Sequence, residues 1–177
     1  MMEKCTLSQN KSSIWVKSIS PLLFLALFIL CLDQITKFMS LTYLPSVEAF
    51  PYHYPYGGVG VFRNFLGIEF SLVHMTNRGA AWGVFGDYQL FLIIFRIILI
   101  SALCLYFFRQ RTTIHWKFPF IMVIAGAFGN VLDYFLYGHV IDMIHFVLWG
   151  YDFPIFNIAD TAISLGIGCM MLFSFME

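Results

Sequence analysis

Four long apolar blocks alternate with polar interruptions along this chain. The blocks cover residues 19–39, 88–108, 117–137 and 158–176, each near the roughly 20 residues that carry a helix across a bilayer. Ahead of the first lies a polar tail, 1–18. The interruptions between spans include 40–87 and 138–157, and the first of these is too long for a simple turn, so a folded element is expected there. Within the longer one, Ile68-Glu69-Phe70-Ser71-Leu72 alternates apolar and polar, the period of a strand. Pro51-Tyr52-His53-Tyr54-Pro55-Tyr56-Gly57-Gly58 is aromatic and turn-rich, suited to the headgroup level where tyrosine is favoured. The expected fold is mainly α and integral to a membrane. A single domain over 1–177 carries four transmembrane helices, a small extramembrane β element that the stretch 151–156 can join, and an interfacial segment on the outer face.

Composition agrees. Of 177 residues, 60% are hydrophobic, 19% aromatic and only 11% charged, where soluble domains are about a quarter charged. No basic patch interleaves with aromatics, so nucleic acid is not an expected partner. Cys5, Cys31, Cys104 and Cys169 show no paired spacing and suggest neither a disulfide framework nor a zinc site. Lysines precede the first block, but no small-x-small cleavage site follows and three more spans do, so that block is expected to be retained. Lys4, Lys11, Lys17, Arg109, Arg111 and Lys117 flank one side of the spans, against Arg63 and Arg78 on the other. Positive-inside asymmetry therefore places both termini in the cytoplasm and 40–87 and 138–157 on the outer face.

Charge inside the spans is the candidate chemistry, because an ionisable group at membrane depth is costly and usually functional. Asp33 and Lys37 stand at i,i+4 and so share a helix face, as a neutralising pair or as the brace of a site. Arg96 lies within the second block, either snorkelling or paired with a carboxylate. Asn77-Arg78-Gly79-Ala80-Ala81-Trp82 reads as a turn, with Asn77 also a possible donor to a ligand. Gly126 and Gly129 permit close helix contact, while Asn130 and Asp133, at i,i+3, imply a polar interior. Asp142 has His139 and His145 three residues to either side, a pattern that raises a metal site but lacks a third strong ligand apart from Asp160. Asp160 opens the last block with Asn157 one turn before it. Capping accounts for one of those two. Two carboxylates brought together, Asp142 and Asp160, can share a proton and activate water.

The ordered set Asp33-x-x-x-Lys37, Asn77-x-Gly79-Ala80-Ala81, Gly129-Asn130-x-x-Asp133, Val140-x-Asp142 and Phe156-Asn157-x-Ala159-Asp160 resembles lipoprotein signal peptidase, the bacterial type II signal peptidase. The resemblance runs from the first span to the last. It implies an aspartic endopeptidase with a catalytic dyad at Asp142 and Asp160. Asp33, Lys37, Asn77, Gly79, Asn130, Asp133 and Asn157 are then binding or supporting positions, with no metal and no cofactor. It further implies prolipoproteins bearing a diacylglyceryl cysteine as substrates, cut on the N-terminal side of that cysteine. The setting is the bacterial inner membrane among its lipids, with the site near the outer face, a monomer, and 40–87 closing over the peptide. One departure stands out: Tyr134 occupies a place where the family usually has arginine. Three other classes compete. A proton-coupled carrier needs a relay across the bilayer, which carboxylates bunched at one face do not supply. An assembly factor would tolerate Asp→Asn at 142 and 160. A metallopeptidase using His139 and His145 would be chelator-sensitive.

Overall fold

The structure is a computed structural model that describes residues 2–50, 52–79, 88–109 and 114–176. Ala80, Ala81, Trp82 and Arg111 lie outside these, as do the side chains of Lys4, Cys5, Lys11 and Lys17. Helix α1 (Met2–Tyr43) carries its apolar span over Ser20–Tyr43 and so ends four residues later than the apolar block. A 3-10 turn, Val47–Ala49, leads to strands β1 (Val59–Phe65) and β2 (Ile68–Asn77). Helices α2 (Gln89–Arg109) and α3 (Ile114–Tyr137) follow, then β3 (Val140–Leu148), the short β4 (Tyr151–Asp152) and α4 (Ile158–Met176). Among the described residues four helices are long and apolar enough to cross a membrane. The expected mainly helical fold with a small β element is the one observed.

The sheet is antiparallel in the order β1-β2-β3-β4. Two membrane helices are inserted between β2 and β3, yet these strands pair along nearly their whole length, from Ile68 opposite Leu148 to Asn77 opposite Val140. The alternating stretch at 68–72 is therefore the first half of a longer strand. Strand β3 was not legible as one: Val140, Ile141, Asp142 and Met143 are all buried, and a strand covered on both faces loses its alternation.

Helix α3 is the hub, packing against each of the other three helices. Small residues set those distances. A side chain at Gly126 would meet the carbonyl of Ala159 on α4, and one at Gly129 would lie 2.8 Å from the Asp33 carboxylate on α1. Glycine here serves close approach. The helices thus converge at their sheet end, where the polar residues gather.

Candidate active site

Lys37 is the anchor. It is fully buried, and its ammonium reaches Asp33 Oδ2 at 2.7 Å, Asp133 Oδ2 at 2.6 Å and Asn130 Oδ1 at 3.0 Å. An ammonium has three N–H donors, and these contacts use all of them. The Asp33–Lys37 pair read from i,i+4 spacing is thus part of a triad that crosses from α1 to α3. Asp33 Oδ1 also accepts the backbone N–H of Ala159 at 2.9 Å, capping an otherwise orphan donor in the first turn of α4. Gln34, which the sequence reading passed over, donates to Asp133 Oδ1 at 2.8 Å and Asp33 Oδ2 at 3.2 Å. A second polar residue beside Asp33 in an apolar helix was the available signal.

Three asparagines build outward from this anchor, each with its carbonyl end pinned and its amide end aimed. Asn130 Oδ1 accepts from Lys37, so Nδ2 points to Asp160 Oδ1 at 2.7 Å. Asn157 is the N-cap of α4: its Oδ1 accepts from the Asp160 backbone N–H at 2.8 Å, and Nδ2 reaches Asp142 Oδ1 at 2.7 Å. Asn77 Oδ1 accepts from the Gly79 N–H at 2.9 Å, and Nδ2 reaches Asp142 Oδ2 at 2.9 Å. A donor at one end fixes which way an amide points. The register explains the last contact. Met75 faces Asp142 across the ladder, so Asn77, two residues on, is its same-face diagonal neighbour. Residues 153–156 run beside β3, with Phe156 bridging Ile144, and deliver Asn157 to Asp142.

Asp142 and Asp160 thus come from a strand and a helix and meet in one hydrogen-bonded network. Asp142 is 1% exposed. Asp160, Asn77, Gly79 and Asn130 line a cleft of about 560 Å³ between the sheet end and the helices. Burial, and after it the Asp160 carboxylate, push Asp142 up to about 7, against the asparagine hydrogen bonds and the charge of Lys37. Such a pair can hold one proton at neutral pH.

The histidines do not join it. On a strand, positions three apart face opposite ways, so His145 is turned from Asp142 and meets Asp152 at 2.7 Å, with Tyr56 edge-on to its ring. His139 Nε2 is buried without a partner; burial, then Arg78 and His74, lower its proton affinity. Among the described residues no three His, Cys, Asp or Glu side chains are grouped to hold a metal ion. Among the described residues Arg96 has no carboxylate partner, and it donates to the Gly79 carbonyl at 3.2 Å. Tyr134 is half-buried with its ring edge-on to Phe135.

The family model described as "Signal peptidase (SPase) II" matches residues 25–176. The chain belongs to the signal peptidase II family. It is a peptidase and a multi-pass bacterial membrane protein. Lipoprotein signal peptidase of Chlamydia felis is 36% identical over 155 residues, covering 85% of this chain and 88% of the relative. Its counterpart in Staphylococcus aureus strain JH9 is 33% identical over 146 residues, 82% of each chain. A solved bacterial membrane enzyme matches at a TM-score of 0.72 with 30% identity, covering 89% of this chain and 88% of that one. The matched region contains all nine candidate positions, from Asp33 to Asp160. They are spread over three of the membrane-length helices and the two connecting segments that carry the sheet.

Proposed function

We propose that this signal peptidase II removes the signal peptide from diacylglyceryl-modified prolipoproteins, cutting on the N-terminal side of the lipidated cysteine, with Asp142 and Asp160 as the catalytic dyad. The observation that carries this is Asn157, which holds Asp142 through its amide and the start of the Asp160 helix through its carbonyl. One residue sets the position of both carboxylates.

The two aspartates share one proton and hold a water between them. The ionised member takes a proton from that water as its oxygen attacks the scissile carbonyl carbon, and the protonated member donates to the carbonyl oxygen. Collapse of the gem-diol intermediate breaks the C–N bond: the aspartic acid that took the water proton gives it to the departing nitrogen, and the other aspartate takes a proton from a gem-diol hydroxyl, which restores the shared proton. The products are the signal peptide, ending in a carboxylate, and a lipoprotein whose lipidated cysteine has a free amino group. No covalent intermediate forms on the enzyme. Asn77, Asn130 and Asn157 orient the dyad and the substrate backbone, and Asp33, Lys37 and Asp133 brace the wall behind them. Gly79 holds Asn77 in place.

In this reading the chain is one peptidase domain, a monomer in the inner membrane with cytoplasmic termini. The dyad lies near the outer face, where acyl chains can stay among the membrane lipids while the peptide bond reaches the carboxylates. The test is cleavage of a diacylglyceryl-modified prolipoprotein by purified wild type, Asp142→Asn and Asp160→Asn, with and without EDTA. The expected result is loss of cleavage in both folded variants and indifference to EDTA. Cleavage by either variant removes that aspartate from catalysis, and EDTA inhibition overturns the metal-free scheme.

A further inference from the structure

Arg96 has no part in the chemistry proposed for Asp142 and Asp160. It sits in the second turn of α2, a helix from Gln89 to Arg109 that contains no acidic residue. Its neighbours Phe95 and Ile97 are 54% and 41% exposed toward the surroundings of the bundle. A cation at that depth costs on the order of 3 kcal/mol even on lenient scales, so an unpaired one calls for a role. Among the described residues no carboxylate lies within ion-pair distance of it. Its side chain turns into the cleft that Asp160 and Asn77 line, and it is the one basic side chain among the described residues that does so. Among the described residues its one hydrogen bond runs from Nη2 to the Gly79 carbonyl. A guanidinium carries five N–H donors in a rigid planar fork. The others are held in a largely apolar cleft, beside the backbone that positions Asn77.

We propose that Arg96 is a substrate-binding residue, donating from its guanidinium to carbonyl oxygens of the lipidated precursor. This rests on the peptidase reading above. The acceptors are either ester carbonyls of the diacylglyceryl group or amide carbonyls beside the scissile bond, chemically alike as neutral sp² oxygens. Gly79 orients the guanidinium, so the fork is set before substrate arrives.

The experiment compares wild type, Arg96→Gln and Arg96→Lys on two synthetic precursors of identical peptide sequence. One carries the diacylglyceryl group, the other a dialkyl ether analogue without ester carbonyls. Measured are KM, kcat and thermal unfolding in detergent. Loss of a hydrogen bond from a charged donor predicts a KM at least about tenfold higher for Arg96→Gln, with unfolding temperature unchanged. Arg96→Lys should recover part of the loss. If the ether analogue erases the difference from wild type, the ester carbonyls are the acceptors; if the difference persists, the amide carbonyls are. An unchanged KM in Arg96→Gln overturns the assignment, and so does a fall in kcat and stability alone, which marks a brace for the Gly79 turn. Should Arg96→Gln not fold, Arg96→Lys decides on the same KM criterion. Failure of the wild type to cut either precursor sinks the peptidase reading and this inference with it. Wild-type cleavage with unmoved KM in the variants sinks only the Arg96 assignment.

Discussion

Replacing Lys37 with methionine keeps the length of the side chain and removes its charge. The cost follows from the contacts. Lys37 is wholly buried and saturates its three donors on Asp33, Asp133 and Asn130. Without it two buried carboxylates face each other across α1 and α3. Removing one partner from a buried ion pair costs about 3–5 kcal/mol, and for a chain of this size each kcal/mol lowers Tm by about 2–4 °C. Unfolding in detergent should therefore come on the order of 10 °C earlier. Lys37 also counteracts the upward push on Asp142, so its loss moves that carboxyl above about 7. Fewer molecules then hold an ionised dyad at neutral pH, and the acid limb of the cleavage profile shifts to higher pH. Adding Asp133→Asn discharges one stranded carboxylate while leaving an oxygen for Gln34 to bond, so the double variant should regain part of the lost stability. A single variant melting within about 2 °C of wild type, or a double variant less stable than the single, would refute the idea that Lys37 neutralises this wall.

Two further perturbations probe other parts of the site. Gly129→Ala puts a methyl 2.8 Å from Asp33 Oδ2, a carboxylate already fixed by Lys37, Gln34 and the Ala159 N–H; overpacking predicts a loss of about 1–3 kcal/mol. Gly168→Ala on α4 meets nothing within 4 Å and should be neutral or slightly stabilising, so equal melting temperatures for the two variants would count against close α1–α3 contact. The Asp142 carboxyl predicts a pH dependence of stability. Its folded-state value is raised to about 7, so its contribution is fully present below about pH 4 and is lost as pH rises through 7. The span amounts to at most about 4 kcal/mol. The Asp142→Asn variant does not titrate there, so its melting temperature should gain on wild type between pH 5 and 8; a constant difference across that range refutes the shift.

The parts of the site that were legible in the sequence are those made by local geometry. Asp33 and Lys37 share a face because a helix brings i and i+4 together, and Asn157 and Asp160 are one turn apart at a helix start. What spacing could not show is that Lys37 also holds Asp133, ninety-six positions away. Nor could it show that Gln34 completes that wall, or that Arg96 donates to the Gly79 backbone carbonyl. Those contacts depend on how α1, α2 and α3 converge. The histidines are the opposite case. Three-residue spacing either side of Asp142 suggests convergence on a helix, and on the strand that forms it separates His145 from Asp142.

That strand ties the fold to the chemistry. β3 escapes a period-two reading because α1, α3 and the 153–157 segment cover it where Asp142 lies, leaving Val140 to Met143 without an exposed face. The same cover removes water from Asp142, and burial is the leading cause of its raised proton affinity. A half-exposed strand would have shown clean alternation, but its aspartate would have been solvated and held near the ordinary carboxylate range. Such a group would stay ionised at neutral pH, with no proton to share with Asp160 or to give to a carbonyl oxygen. The burial that hides the strand from sequence reading is therefore also what equips the pair for acid–base work.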